Sequence, residues 1–127
     1  MKVAFDPEQG LVIVKAKLWG PAGTMKLRLA LDTGATITTM NAGILIAMGY
    51  DPEAGADRVR VTTGSGVESA HRVVIKKATF LGQQRLGFAV LAHTLPSTAG
   101  IDGLLGLDCL RNRRLLLDFI KGHISLN

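Results

Sequence analysis

The chain has 127 residues, of which 47% are hydrophobic and 20% are charged, and its formal net charge is +5. These values exclude a disordered chain and fit one hydrophobic core, so we expect a single domain over residues 1–127. No stretch has the length of a signal-peptide core or of a membrane span, and we therefore expect no membrane segment in this chain.

Short strands are predicted along most of the chain, because segments rich in Val, Ile, Leu and Thr alternate with glycine-containing turns. Single strands are predicted at 2–5, 11–18, 25–31 and 85–93, a short buried apolar run at 103–107, and hairpins at 58–75 and 114–127. The helix signals are fewer. Residues 41–49 predict a brief helix with Asn41 as its N-cap and Gly49 at its end, and residues 108–113 predict one or two helical turns.

The predicted strand at 25–31 is followed by an acidic residue, in the sequence Asp32-Thr33-Gly34. Read alone, Asp followed closely by Gly is typical of a turn. The order of apolar strand, glycine-containing loop and short helix occurs again around Gly106, which suggests a weak internal half-repeat. Asp102 and Asp108 flank this second copy, and we interpret them as loop and helix-capping residues.

An Asp-Thr-Gly tripeptide suits the hydrolysis of a peptide bond by an activated water. Two carboxylates that share one proton can accept a proton from the water and donate one to the carbonyl oxygen. The glycine lets the backbone turn tightly beneath the carboxylate, and the threonine hydroxyl can hold the loop in place. One chain supplies only one such carboxylate, so an enzyme of this kind requires two copies of the chain.

The sequence resembles the retropepsin-like aspartic proteases, particularly their small bacterial members. The resemblance follows the chain in order through the strand and loop at 29–36, a glycine-tipped hairpin at 62–66, the Leu-Leu-Gly at 104–106 with its following helix, and the last hairpin. It implies a mainly β fold, a closed retropepsin-like (acid protease) barrel with one or two short helices. The chain departs from the retroviral members at Leu107, where they commonly have Arg.

The resemblance also implies roles for individual residues. Asp32 would be the catalytic aspartate, Thr33 would interlock with its counterpart across a dimer, and Gly34 would orient the carboxylate by its backbone amide. The substrate-binding residues would lie beside this loop and at the hairpin tip: Ala35, Thr63, Gly64, Ser65 and Gly66. The residues that support the loop from behind would be Leu104, Leu105 and Gly106.

The implied function is that of a homodimeric aspartic endopeptidase, which cleaves an extended peptide or protein substrate without a cofactor or a metal. One alternative is a non-catalytic dimerisation or peptide-binding module with the same fold. A second is a basic nucleic-acid-binding domain, but only six residues are aromatic and no stacking pattern accompanies the basic residues, so we expect no nucleic-acid partner.

The cysteine content bears on the compartment. Cys109 is the only cysteine, and we interpret it as a packing residue on a short apolar segment. A lone thiol is compatible with a reducing compartment, so we expect a cytoplasmic location, or a domain of a longer anchored protein.

Overall fold

The structure, a computed structural model, describes residues 1–54, 58–63, 66–95 and 100–127. Its elements are the strands β1 (Lys2–Ala4), β2 (Ile13–Gly20), β3 (Gly23–Leu31), β4 (Thr39–Asn41), β5 (Arg58–Thr63), β6 (Gly66–Phe80), β7 (Gln83–His93), β8 (Gly103–Leu105), β9 (Leu115–Asp118) and β10 (His123–Leu126), the helix α1 (Ala42–Ala47) and a 3₁₀ turn at Leu107–Cys109.

Six of the strands form a closed barrel. They are hydrogen-bonded in the order β2-β3-β8-β4-β7-β6, and β6 pairs again with β2 to close the ring. The closing pairs run from Ala16↔Phe80 to Trp19↔Lys77. Closure of this kind leaves no free sheet edge within the ring. The predicted mainly β, closed barrel fold is confirmed.

Two further groups of strands lie outside the ring. β5 pairs only with the first part of β6, from Arg58↔His71 to Thr63↔Gly66, and this pair forms the hairpin that the sequence predicts at 58–75. The chain ends form a separate antiparallel sheet in the order β1-β10-β9. The predicted closing hairpin is therefore present, and β1 covers the other side of β10.

The barrel encloses the core because alternate side chains of its strands point inward. Strands β2, β3, β6, β7 and β8 and helix α1 all contribute side chains with no exposed surface: Leu18, Leu29, Leu45, Ile75, Val90 and Leu105. Helix α1 begins as the sequence predicts, because the Asn41 side chain accepts a hydrogen bond from the Gly43 amide at 3.0 Å. Gly49 follows the helix with a φ of +90°, which a glycine adopts readily.

One local feature differs from the sequence-based expectation, and another lies where no element is predicted. The helix expected at 108–113 is only the 3₁₀ turn at Leu107–Cys109, and Asn112 has a left-handed φ of 62°, which ends any further helix. The turn between β6 and β7 uses Leu81 at a φ of 49°, beside Gly82 at 69°. Leucine is unfavourable in this conformation, but its side chain is buried, and burial outweighs the backbone cost.

Candidate active site

Three barrel strands position the loop that carries Asp32. β3 and β8 are parallel neighbours, with Leu29 opposite Gly103 and Leu31 opposite Leu105. β4 pairs antiparallel with the other side of β8. The loop therefore leaves β3, passes the end of β8 and enters β4, which brings Asp32 next to the Leu-Leu-Gly segment although about seventy residues separate them in sequence.

Backbone hydrogen bonds fix the loop at Asp32. The Asp32 amide donates to the Leu105 carbonyl at 2.9 Å, which continues the β3–β8 pairing by one residue. The Ala35 amide donates to the Asp32 carbonyl at 3.2 Å and closes a turn over Thr33 and Gly34. Both turn residues are exposed, so the tip of the loop faces away from the barrel.

The Asp32 carboxylate is oriented from within its own turn. Its Oδ1 accepts a hydrogen bond from the Gly34 amide at 2.9 Å, and a Cβ at Gly34 would lie 3.1 Å from the same oxygen. Within the described part of the chain, Oδ2 makes no hydrogen bond. One carboxylate oxygen is thus held by an amide, while the other is available to a water or to a second carboxylate.

The loop rests on Gly106 by close backbone contact. A Cβ at Gly106 would lie 2.8 Å from both the Ala35 carbonyl oxygen and the Ile37 carbonyl carbon, distances that real Cβ atoms do not adopt. The next amide, that of Leu107, donates to the Ala35 carbonyl at 2.8 Å. The position therefore requires glycine for space, and the structure brings the predicted supporting segment directly behind the loop.

A buried threonine joins the loop to the segment that follows Gly106. Thr38 has no exposed surface, and its hydroxyl donates to Asp108 Oδ1 at 2.7 Å and accepts from the Gly106 amide at 3.1 Å. The Asp108 carboxylate also accepts from the Thr38 amide, at 3.0 and 3.1 Å from its two oxygens. The network thus gives hydrogen-bond partners to the Thr38 hydroxyl, the Thr38 amide and the Gly106 amide.

The thiol of Cys109 completes this network. Its Sγ lies 3.1 Å from Thr38 Oγ1, and the single hydroxyl proton of Thr38 is already given to a carboxylate that can only accept. The thiol must therefore donate, which requires its protonated form. Burial raises the pKa of Cys109 to about 12, in agreement with a protonated thiol. Cys109 is fully buried, as expected for a packing residue.

The interpretation of Asp108 as a helix cap is wrong. Gly106 is the N-cap of the 3₁₀ turn, and no side chain caps it; the Asp108 carboxylate is directed to Thr38 instead. Asp102 is a loop residue, as expected, and its Oδ2 accepts from the Arg28 amide at 2.8 Å. The sequence contains no spacing signal for the Thr38–Asp108 contact, because the two residues are seventy positions apart.

The remaining predicted site residues lie in the β5–β6 hairpin. Thr63 and Gly66 form its last described pair, and Gly64 and Ser65 lie outside the described residues. The described geometry therefore unites Asp32, Thr33, Gly34 and Ala35 with Leu104, Leu105 and Gly106, and it places Thr63 and Gly66 on the two arms of the hairpin.

A closed β-barrel in which an Asp-Thr-Gly loop follows a strand that pairs in parallel with the segment behind the loop has the architecture of the aspartic proteases. A family profile described as aspartyl protease matches residues 14–109, and the chain belongs to this family. No curated protein matches the chain. Within the described residues, no helix is long and apolar enough to cross a membrane.

Two solved structures are similar in fold. One is a retropepsin-like aspartic protease from Rickettsia conorii, with 18% identity and a TM-score of 0.69, and the match covers 100% of this chain and 89% of that chain. The other is the retroviral protease-like domain of Ddi1 from Leishmania major, with 16% identity and a TM-score of 0.57, covering 94% of this chain and 96% of that chain. The fold is thus retropepsin-like.

Proposed function

We propose that the chain is an aspartic endopeptidase that acts as a homodimer, with one Asp32 from each copy at the two-fold axis. The observation that carries the proposal is the position of Asp32: its exposed Asp-Thr-Gly turn is hydrogen-bonded to Leu105 and packs on Gly106, and one oxygen of its carboxylate is unengaged within the described residues.

In the proposed dimer, the two Asp32 carboxylates share one proton and hold a water between them. The ionised carboxylate accepts a proton from the water as its oxygen attacks the peptide carbonyl carbon, and the protonated carboxyl gives its proton to the carbonyl oxygen. The tetrahedral intermediate then breaks its C–N bond as a carboxyl group returns a proton to the leaving amine. No covalent enzyme intermediate is formed.

Other residues of the loop and the hairpin have supporting roles in this proposal. Thr33 and Gly34 form the exposed tip that meets the second copy, and Ala35 borders the substrate. Thr63, Gly64, Ser65 and Gly66 cover an extended peptide and exclude water from it. Substrate main-chain groups are held as an added strand, which suits an endopeptidase.

Apolar side chains near the chain ends offer a surface for the second copy. Leu116, Phe119 and Ile120 are 61%, 55% and 95% exposed, on β9 and in the turn that follows it. Within the described residues β9 pairs with β10 alone, so its other edge is open to another strand. A single-carboxylate active site is incomplete without a partner, and this edge gives the partner a place to pair.

The test is cleavage of a peptide library by the wild type and by Asp32→Asn. We expect the substitution to remove cleavage by at least about a thousandfold while circular dichroism is unchanged, because the amide cannot accept the proton of the water. Glu8→Gln, an exposed carboxylate far along the chain, is the matched control and should retain full activity. Cleavage that survives in Asp32→Asn contradicts the proposal.

The alternative of a non-catalytic peptide-binding module makes a different prediction for the same pair of proteins. Such a module binds an extended peptide without cleaving it, and Asp32→Asn leaves both its binding and its lack of cleavage unchanged. The intact Asp-Thr-Gly and its oriented carboxylate favour the enzyme.

A further inference from the structure

Basic side chains cluster on the outer surface of the barrel. Strands β2 and β3 place Lys15 directly opposite Arg28 and Lys17 directly opposite Lys26. Lys77 of β6 extends the cluster, because it is the cross-strand neighbour of Trp19. We call these five cations the basic face.

The basic face is electrostatically unfavourable within this chain. Like charges directly opposite on antiparallel strands destabilise a sheet, and two such pairs occur side by side. Across residues 1–54, 58–63, 66–95 and 100–127, none of the five cations forms an ion pair with a carboxylate. The nearby Asp102 carboxylate is engaged by the Arg28 amide, and Asp6 only borders the same side of the barrel. An external anion would relieve this repulsion.

A groove runs along the basic face. A depression of about 600 Å³ is lined by Lys15, Lys17 and Lys26, and on its other side by the end of β6 and the start of β7. A second depression of about 280 Å³ shares Lys15 and Lys26 and adds Arg28. Four of the five cations thus line two adjoining depressions, and Lys77 lies outside both.

Trp19, the only tryptophan of the chain, lies at one end of this surface. The ammonium groups of Lys17 and Lys77 lie over its ring, at 4.8 and 4.3 Å from the centroid. The ring therefore positions two cations by cation–π contact. Because cations of the chain already occupy it, the ring is not an open platform on which a nucleobase can stack.

We propose that the basic face binds an acidic segment of an extended polypeptide. Lys15 and Lys17 are two residues apart on one strand, so they are about 7 Å apart along it. Carboxylates at every second residue of an extended chain have the same spacing. A groove fits such a chain better than a flat bilayer. β3 also leads from Lys26 and Arg28 directly to Asp32, so the face continues towards the loop at which we place cleavage.

Binding to the basic face does not depend on catalysis, and its test uses the Asp32→Asn protein. The probe is a fluorescently labelled peptide of alternating Glu and Thr, with a peptide of alternating Gln and Thr as its control. Anisotropy measures affinity, and Trp19 fluorescence reports directly on the face. We expect saturable, salt-sensitive binding of the acidic peptide, with a change in Trp19 emission.

A charge-reversal variant on the basic face distinguishes binding at that surface from a general effect of the protein's net charge. Lys26→Glu should weaken binding about tenfold or more, because it removes one cation and repels the carboxylates. It also turns the like-charge pair with Lys17 into an opposite-charge pair, so Tm should stay the same or rise. Arg113→Glu, an exposed residue outside the face, makes the same change in net charge and should alter the affinity less than about twofold.

Three results would overturn the proposal. The first is that the acidic peptide does not bind, or that the Gln–Thr peptide binds equally well. The second is that Arg113→Glu weakens binding as much as Lys26→Glu, because the interaction then follows net charge alone. The third is tighter binding of a single-stranded oligonucleotide or of anionic phospholipid vesicles at the same ionic strength, which would assign the face to another class of partner.

Discussion

Thr38 and Asp108 are bound to each other twice, through the hydroxyl and through the backbone amide of Thr38. The hydroxyl also accepts from the Gly106 amide and from the Cys109 thiol, so its one proton and both lone pairs are used. The end of the Asp32 loop is thereby fastened to the segment behind it by direct hydrogen bonds.

Thr38→Val should destabilise the protein by about 2 to 3 kcal/mol, because it leaves the Asp108 carboxylate, the Gly106 amide and the Cys109 thiol with fewer partners. Urea unfolding monitored by circular dichroism measures the free energy. Thr39→Val at the next position is the control. The Thr39 hydroxyl only reaches the Ile37 carbonyl at 3.4 Å, so that change should cost less than about 1 kcal/mol. Equal costs would contradict the network.

Gly106→Ala should both destabilise the fold and displace the Asp32 loop. The new methyl group would lie 2.8 Å from two backbone atoms of the loop, which cannot rotate away as a side chain can. Overpacking of this kind costs about 1 to 3 kcal/mol or more. Thermal unfolding and peptide cleavage should both show the effect. Gly10→Ala is the control, because a Cβ at Gly10 meets nothing within 4 Å.

The pKa of Cys109, raised from 9.0 to about 12, makes stability depend on pH in the alkaline range. The folded state favours the protonated thiol, so this contribution is complete below pH 9 and is lost as the pH rises from 9 towards 12. Unfolding free energies measured at neutral pH and above pH 9 should diverge more for the wild type than for Cys109→Ser. The serine keeps a donor for Thr38 but does not titrate. Parallel pH curves would contradict the prediction.

Mixed dimers should reveal whether both Asp32 carboxylates are needed. When wild type and Asp32→Asn are mixed and allowed to exchange partners, only dimers of two wild-type chains can carry the shared proton. Activity per total protein should then fall with the square of the wild-type fraction. A linear fall would show that one aspartate suffices, and it would contradict the two-carboxylate mechanism.

Leu116→Glu should weaken self-association. A charge on the open edge strand β9 opposes pairing with a second copy and costs desolvation energy at the interface. Analytical ultracentrifugation should show a higher dimer dissociation constant than that of the wild type, with a parallel loss of cleavage. Leu86→Glu, a leucine of similar exposure on β7, should leave the association unchanged. If the two variants behave alike, β9 is not the contact.

The sequence predicts local features of this fold better than contacts between distant segments. Asn41 and Gly49 bound helix α1 as expected, because capping depends on neighbouring residues alone. The closing of the barrel by Trp19 and Lys77 has no local signal, since it depends on the twist of strands far apart in the chain. The turn at Leu81 was not predicted, because its side chain gains from burial that only the folded barrel provides.

In the candidate site, too, the sequence predicts local motifs better than contacts between distant residues. Asp32 and Gly106 carry recognisable tripeptides, so the sequence singles them out as residues of one site. Thr38 lies just before β4 and Asp108 shortly after β8, and only the antiparallel pairing of these two strands makes them neighbours. Nothing in their immediate sequence distinguishes a buried network from a solvated turn.

The two ends of the long strand β6 pair with different strands. Its last four residues close the barrel against β2, whereas its first six pair with β5 in the hairpin. The two sets of partners do not overlap. A hairpin of different length grafted beyond His71 would therefore leave the four closing pairs of the barrel, from Ala16↔Phe80 to Trp19↔Lys77, in place.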